Sequence, residues 1–237
     1  LQTVSLIKCD VDGTNKKEVA TLEGYTYNFP SKLAITNNGV YFAVNSFNEE
    51  NPDKFKSEIA YFDFAENTCG LLTDFDEKYV SNIDNLCYYD DNLYFEYSYA
   101  DEESADIFYD NRQDLYRIDC NTEKCEKAVD GIENLYGVNS SGVYYTEQAD
   151  EKHTLNIMNL SDNSVNSFLD FSDSDAYSIA VLSEGIAVSV MTESGEQDGK
   201  IYDLNLGVTD SGSKYVYING EINDKYIIFA EDGNGSV

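Results

Sequence analysis

The chain has 237 residues, and its 45 acids against 15 bases leave a formal charge of −30 at pH 7. Such an excess excludes nucleic acid as a partner, since nothing here neutralises a run of phosphates, and it excludes docking on an anionic membrane surface. Aromatic residues reach 14 %, with 20 Tyr, 12 Phe and no Trp, which sets the chain apart from acidic disordered segments and predicts a sizeable core. No stretch approaches the ~18 apolar residues of a membrane-crossing helix, so no membrane insertion is expected. The single His excludes a His-rich metal centre. Leu1-Gln2-Thr3-Val4-Ser5 carries no signal-peptide pattern, and a chain opening on Leu reads as a processed form or part of something longer.

In chain order the pattern has period two, with Tyr, Phe, Ile, Val and Leu alternating between Asn-, Asp-, Gly- and Ser-rich corners, and it predicts strands throughout. The first run, Leu6-Ile7-Lys8-Cys9, enters the polar turn Asp10-Val11-Asp12-Gly13-Thr14-Asn15 before a second strand. Asn37-Asn38-Gly39-Val40-Tyr41-Phe42 is a turn followed by an aromatic strand. These two units then alternate. The strand-to-turn unit returns as Ile59-Ala60-Tyr61-Phe62-Asp63, Leu115-Tyr116-Arg117-Ile118-Asp119, Leu155-Asn156-Ile157-Met158-Asn159 and Ile201-Tyr202-Asp203. The turn-to-strand unit returns at Asp90-Asp91-Asn92-Leu93-Tyr94-Phe95, at Ser140-Ser141-Gly142-Val143-Tyr144-Tyr145 and, more weakly, from Ser183 and from Asn223. The marker residues Asp10, Asp63, Asp119, Asn159 and Asp203 lie 53, 56, 40 and 44 residues apart, a spacing that suits blades of four short strands.

Five copies of each unit predict an all-β fold, a β-propeller of five four-stranded blades in a single domain over 1–237. The chain enters on the second unit and leaves on the first. The N- and C-terminal strands are therefore expected to share one blade and close the ring, sparing two unpaired edges. The expected blades are 222–237 with 1–34, then 35–83, 84–136, 137–179 and 180–221. A severed piece of a larger propeller is the other reading of the same phase.

The repeats resemble propellers of the low-density-lipoprotein-receptor type, whose blades carry a Tyr-Trp-Thr-Asp strand. Tyr144-Tyr145-Thr146-Glu147 is the nearest copy, and Tyr41-Phe42 and Tyr94-Phe95 keep the aromatic pair. The stretch from Ile7 through Leu22 and Pro30 to Ile35 resembles that family's link between blades. Diverged bacterial surface domains of this kind are a closer match. The resemblance implies a mostly non-catalytic, extracellular or cell-surface protein, although those receptors usually have six blades and this chain supports five.

A propeller places its b–c and d–a connections at one end. The expected b–c loops carry Glu49, Glu50 and Asp53, then Asp101, Glu102, Glu103, Asp106 and Asp110, then Asp150 and Glu151, then Glu193, Glu196 and Asp198. Converging like charges attract a basic surface, and an ordinary solvated acidic face is the plainer reading. The expected d–a loops add Tyr25, Tyr27 and Phe29, Tyr79, Tyr136 and Tyr177, which suit protein or glycan recognition or wedge between blades. Asp10-Val11-Asp12-Gly13 matches the start of a calcium loop without its later donors and reads as a hairpin turn. Asp170, Asp173 and Asp175 form a denser acidic group with incomplete cation spacing. Cys120 and Cys125, placed on facing strands of one hairpin, either close a short disulfide or stand as two thiols. His153 is expected to be a solvated loop residue.

These features predict a monomeric binding or scaffold propeller, with no catalytic residues and no cofactor, that holds a protein or cell-wall polymer. The rival readings are a five-bladed glycoside hydrolase with a carboxylate pair in its central funnel, and a purely structural repeat module.

Overall fold

The computed structural model describes residues 2–28, 32–47, 55–72, 80–100, 112–172, 175–195, 197–210, 216–222 and 225–230. They belong to two compact units, Leu1–Gly131 and Ile132–Val237. The architecture is all-β, made of antiparallel sheets of the propeller type.

Unit 1 opens with β1 (Thr3–Lys8) and β2 (Lys17–Glu23), a two-stranded ladder. Its second sheet holds β3 (Tyr25–Tyr27), β4 (Ala34–Ile35), β5 (Gly39–Phe47), β6 (Phe55–Asp63) and β7 (Thr68–Leu71). Both β3 and β4 pair with β5, so they are two pieces of one innermost strand. The third sheet runs in order through β8 (Val80–Tyr89), β9 (Asn92–Ala100), β10 (Arg112–Asp119) and β11 (Lys124–Val129).

Unit 2 has a sheet of β12 (Asn134–Asn139), β13 (Gly142–Ala149), β14 (Lys152–Met158) and β15 (Val165–Ser172). A second holds β16 (Ala176–Leu182), β17 (Gly185–Met191), β18 (Gln197–Asp203) and β19 (Val208–Asp210), and a ladder of β20 (Val216–Ile222) and β21 (Lys225–Ala230) follows. With β3 and β4 taken as one strand, four sheets have four strands each, and β1–β2 and β20–β21 are two-stranded ladders. The sheets begin at Tyr25, Val80, Asn134 and Ala176, ahead of the expected blade starts, because the strand preceding each Asn- or Gly-containing corner belongs to the same sheet.

Strand alternation sorts the side chains between sheet faces. On β5, Tyr41 and Ala43 join Ile59, Ile83, Phe95 and Tyr97 in one buried cluster. Val40, Phe42 and Val44 on the other face pack with Ala60 and Phe62 against Val4, Leu6, Val19 and Leu22 of β1 and β2. In unit 2, Tyr144, Leu155 and Phe171 pack against Ile186, Val188 and Tyr202. Each fully buried ring contributes roughly 1.5–3 kcal/mol of transfer free energy.

The repeated markers have local causes. Asp63 Oδ1 accepts the amides of Ala65 (2.7 Å) and Glu66 (2.9 Å), and Asp119 Oδ1 those of Asn121 (2.9 Å) and Thr122 (3.2 Å). Asn159 Oδ1 takes the Ser161 amide (2.8 Å), and Asp203 Oδ1 takes Asn205 (2.8 Å) and Gly207 (2.9 Å). These are Asx turns that close each c–d corner. The first corner does the same: Asp12 Oδ1 accepts the Thr14 amide at 2.9 Å, and Asn15 Nδ2 donates to Asp10 Oδ2 at 2.6 Å. The glycine that opens β5, β13 and β17 is set by crowding. A Cβ at Gly39, Gly142 or Gly185 would collide with the carbonyl oxygen of Phe62, Met158 or Tyr202 on the next strand.

Candidate functional site

One end of unit 2 brings together the start of β12, the Asp150-Glu151 turn between β13 and β14, the end of β15 and the start of β16. Glu133 is fixed there by its own backbone amide, which donates to the Thr146 carbonyl at 2.7 Å. His153 lies on β14, in register with Gln148 on one side and Phe171 on the other. Its Nδ1 donates to Glu133 Oε2 at 2.8 Å. The Tyr177 hydroxyl, from β16, also points at this carboxylate, 3.3 Å from Oε2 and 3.5 Å from Oε1. The Tyr177 ring stacks on Phe171 at 4.5 Å and 12°, and sits 5.5 Å from the imidazole. Burial, the neighbouring Tyr136 hydroxyl and Glu133 all hold the Tyr177 phenol above its ordinary acidity range, so it stays a neutral donor.

His153 is thus a structured strand residue, correcting the expected solvated loop. Its side chain is 12 % exposed and that of Glu133 25 %, so the group is packed but reaches solvent. Exposed Asp150, Glu151 and Glu193 rim the same end. Lys152 is engaged by Asp170 at 2.7 Å, and Lys200 by Asp198 at 2.6 Å.

A second polar group lies in unit 1. Asn28 is 5 % exposed; its Nδ2 donates to Asn82 Oδ1 (2.9 Å) and to the Ile83 carbonyl (2.7 Å), and its Oδ1 accepts from Asn45 (3.4 Å). Ser57 Oγ donates to Asn45 Oδ1, and the Ser57 amide donates to Ser81 Oγ at 3.1 Å. Asn82 Nδ2 donates to Asp84 Oδ2, while Asp84 Oδ1 is buried without a hydrogen-bond partner among the described residues. Asp84 faces Glu96 across the β8–β9 register. Glu96 is 4 % exposed and accepts from Asn85 Nδ2 at 2.9 Å. Burial pushes the Asp84 carboxyl above its ordinary value, against a smaller opposing effect from Asn82.

The expected site residues are distributed as follows. Tyr25 and Tyr27 lie on β3, Tyr136 on β12 and Tyr177 on β16, so they occupy first strands of sheets and not the loops between them. The structure brings Tyr136 and Tyr177 together. Tyr79, Phe29, Glu49, Glu50, Asp53, Asp101, Glu102, Glu103, Asp106, Asp110, Glu196 and Asp173 lie outside the described residues. Asp170 is held by Lys152 and by Thr154 Oγ1 (3.0 Å), and Asp175 accepts the Ser172 amide at 3.2 Å. Among the described residues no group of three or more His, Cys, Asp or Glu is arranged to hold a metal ion. Of the two readings left open for Cys120 and Cys125, the structure holds the two as free thiols. The register sets Cys125 opposite Ile118 and pairs Asp119 with Lys124, which leaves Cys120 in the turn. Burial, with help from Glu126, pushes the Cys125 thiol up to about 11, far from a reactive thiolate.

No protein-family profile matches the chain, and no curated protein matches it in sequence. Solved structures do match in fold. TolB from Acinetobacter baumannii aligns over 98 % of this chain and 57 % of its own, at 14 % identity and a TM-score of 0.55. An oligogalacturonate lyase in complex with manganese aligns over 90 % and 60 %, at 9 % identity and a TM-score of 0.60. The β-propeller domain of the Trilobed protease from Pyrococcus furiosus aligns over 91 % and 66 %, at 13 % identity and a TM-score of 0.61. The chain spans less than two thirds of each of these proteins. At such identities the likeness shows the fold alone, shared by enzymes and by TolB.

Proposed function

We propose that this chain is a non-catalytic binding module, secreted or displayed at a bacterial cell surface, that holds a protein or cell-wall polymer at the His153 end of unit 2. The observation that carries this reading is the Glu133 carboxylate, shared by His153 and Tyr177 at a partly exposed sheet end. Phenol and imidazole groups offer contact area with a polar tip, at small entropy cost. At the opposite end of the β16–β19 sheet, Asp203 is consumed by its own turn. The resemblance to receptor-type propellers supports an extracellular setting. The test is a binding panel of cell-wall polysaccharides and secreted proteins. A ligand held tighter than about 100 μM, and weakened by Tyr177→Ala, is expected. Silence across the panel would leave a purely structural repeat module.

A second reading, a glycoside hydrolase, is favoured by Asp84. Its carboxyl is held toward the neutral form and faces the buried Glu96 on the adjacent strand. An acid of raised pKa beside a second carboxylate is the arrangement that glycoside hydrolysis uses. In this reading Asp84 donates the proton to the leaving oxygen and Glu96 acts as base or nucleophile. The sugar-directed name of one structural neighbour, the oligogalacturonate lyase, lends it support. An oligosaccharide turnover screen decides: hydrolysis abolished by Asp84→Asn sustains it, and no turnover of any substrate removes it.

A further inference from the structure

We infer that the β1–β2 hairpin of unit 1 is a docking surface for an acidic polypeptide segment, whose carboxylates meet the ammonium groups of Lys8, Lys16 and Lys17. This surface belongs to unit 1 and stands independently of the reading given to the His153 end of unit 2. Three observations carry it.

The first is how the bases of the chain are engaged. With 45 acids against 15 bases, a lysine has carboxylates in excess to choose from. Among the described residues, Arg117, Lys124, Lys127, Lys152 and Lys200 each pair with one. Lys8, Lys16 and Lys17 form no ion pair or side-chain hydrogen bond with any described residue, and all three are exposed. The second is their grouping. Lys8 and Lys17 sit directly opposite each other in the β1–β2 register, and Lys16 is next along the chain. Like charges so placed repel across the ladder, and a carboxylate set between them removes the repulsion. The acids of the hairpin are held elsewhere. Asp10 Oδ2 accepts from Asn15 Nδ2 at 2.6 Å, Asp12 Oδ1 from the Thr14 amide and hydroxyl at 2.9 and 2.6 Å, and Glu18 Oε1 from Thr21 Oγ1 at 3.1 Å. The third is the pattern at the tip. Val11 is fully exposed between Asp10 and Asp12, on a turn fixed by the Asp10 amide on the Thr14 carbonyl (2.9 Å) and the Gly13 amide on the Asp10 carbonyl (2.8 Å). A polyanion charged at every unit, such as a phosphate polymer, would meet those two acids as well as the lysines. A polypeptide can set an apolar side chain on Val11 and keep its carboxylates for the lysines, so the pattern selects a polypeptide.

The probe is a peptide of repeated Glu-Glu-Leu units, compared with its Gln-Gln-Leu counterpart and with inorganic polyphosphate. At about 150 mM salt the screening length is roughly 8 Å, so the distant acids of the chain oppose binding little while contact with the lysines persists. The Glu-Glu-Leu peptide is expected to bind tighter than about 1 mM and to shift the backbone amide NMR signals of residues 8–17 before all others. The double variant Lys16→Gln, Lys17→Gln should weaken it about fivefold, and Lys8→Gln about twofold. Val11→Ser should weaken it about twofold. Lys124→Gln changes a lysine at the matching place of the β10–β11 hairpin that is already paired with Glu126, and should leave binding unchanged. Should a variant fail to fold, the shift map of the wild type still decides. Equally tight binding of the Gln-Gln-Leu peptide overturns the charge basis, and equally tight binding of polyphosphate overturns the polypeptide assignment. Shifts centred outside residues 8–17, or equal loss in Lys124→Gln, overturn the site. Self-association of the wild type that the double variant abolishes makes a second copy the occupant and overturns a separate partner. Absence of binding to all three probes overturns the inference and leaves the unit 2 reading to its own panel.

Discussion

Units 1 and 2 place their polar groups in contrasting ways. In unit 1 the carboxamides of Asn28, Asn45 and Asn82 and the hydroxyls of Ser57 and Ser81 form a neutral layer among buried strands. Of the two acids beside it, Asp84 and Glu96, Asp84 loses acidity to burial. In unit 2 a carboxylate sits at a sheet end, oriented by an imidazole and a phenol and partly open to water. The first arrangement is intolerant of change, because Asn28 satisfies several partners that are buried or half-buried. The second is tolerant, because water replaces whatever is removed. The same sheet architecture therefore holds a packed polar interior in one unit and a partly open polar end in the other.

The largest effect that sharpens this contrast is expected from Phe95→Ala. Phe95 is fully buried in the cluster that seats the polar layer of unit 1, and its loss should cost about 3–5 kcal/mol in urea unfolding. Next, Asn28→Ala orphans Asn82 Oδ1, the Ile83 carbonyl and Asn45 Nδ2, for about 1–3 kcal/mol, whereas Glu133→Gln keeps an acceptor at a wetter site and should cost under about 1 kcal/mol. Equal costs for the two would erase the distinction between the units.

The third prediction concerns pH. The folded chain raises the Asp84 pKa above the unfolded value of 3.8. The stability contributed by this group is therefore complete below 3.8 and is lost as pH rises through the folded value. Asp84→Asn should melt higher than the wild type at neutral pH, with the gain shrinking to nothing below 3.8. A gain independent of pH would mean that the carboxyl is not desolvated. The smallest effect is expected from Asp203→Ala, which removes the acceptor for two turn amides and should cost about 0.5–1.5 kcal/mol by thermal melting.

The fold was legible because its signals are local. Period-two alternation, Asn-Gly corners and the recurring Asp or Asn marker each report on a few neighbouring residues, and together they define strands, turns and repeat number. The polar sites were much less legible. Glu133 precedes a strand with no motif around it, and its meeting with His153 and Tyr177 depends on packing between two sheets, 20 and 44 residues away in sequence. A faint signal existed in unit 1: Ser57, Ser81 and Asn45 interrupt apolar runs at positions that alternation assigns to the interior. Such interruptions mark a buried polar layer but do not name its members' partners. Alternation alone did not separate strand from turn at Cys120, which lies one position past the β10 ladder and so does not face Cys125.

The Asx corners bear on how the molecule forms. A side chain that ties up the amides two and three residues ahead rewards a hairpin before any distant contact exists, so part of the ordering cost of each c–d pair is met locally. Folding is expected to begin at several such corners in parallel, leaving the joining of sheets as the slow step.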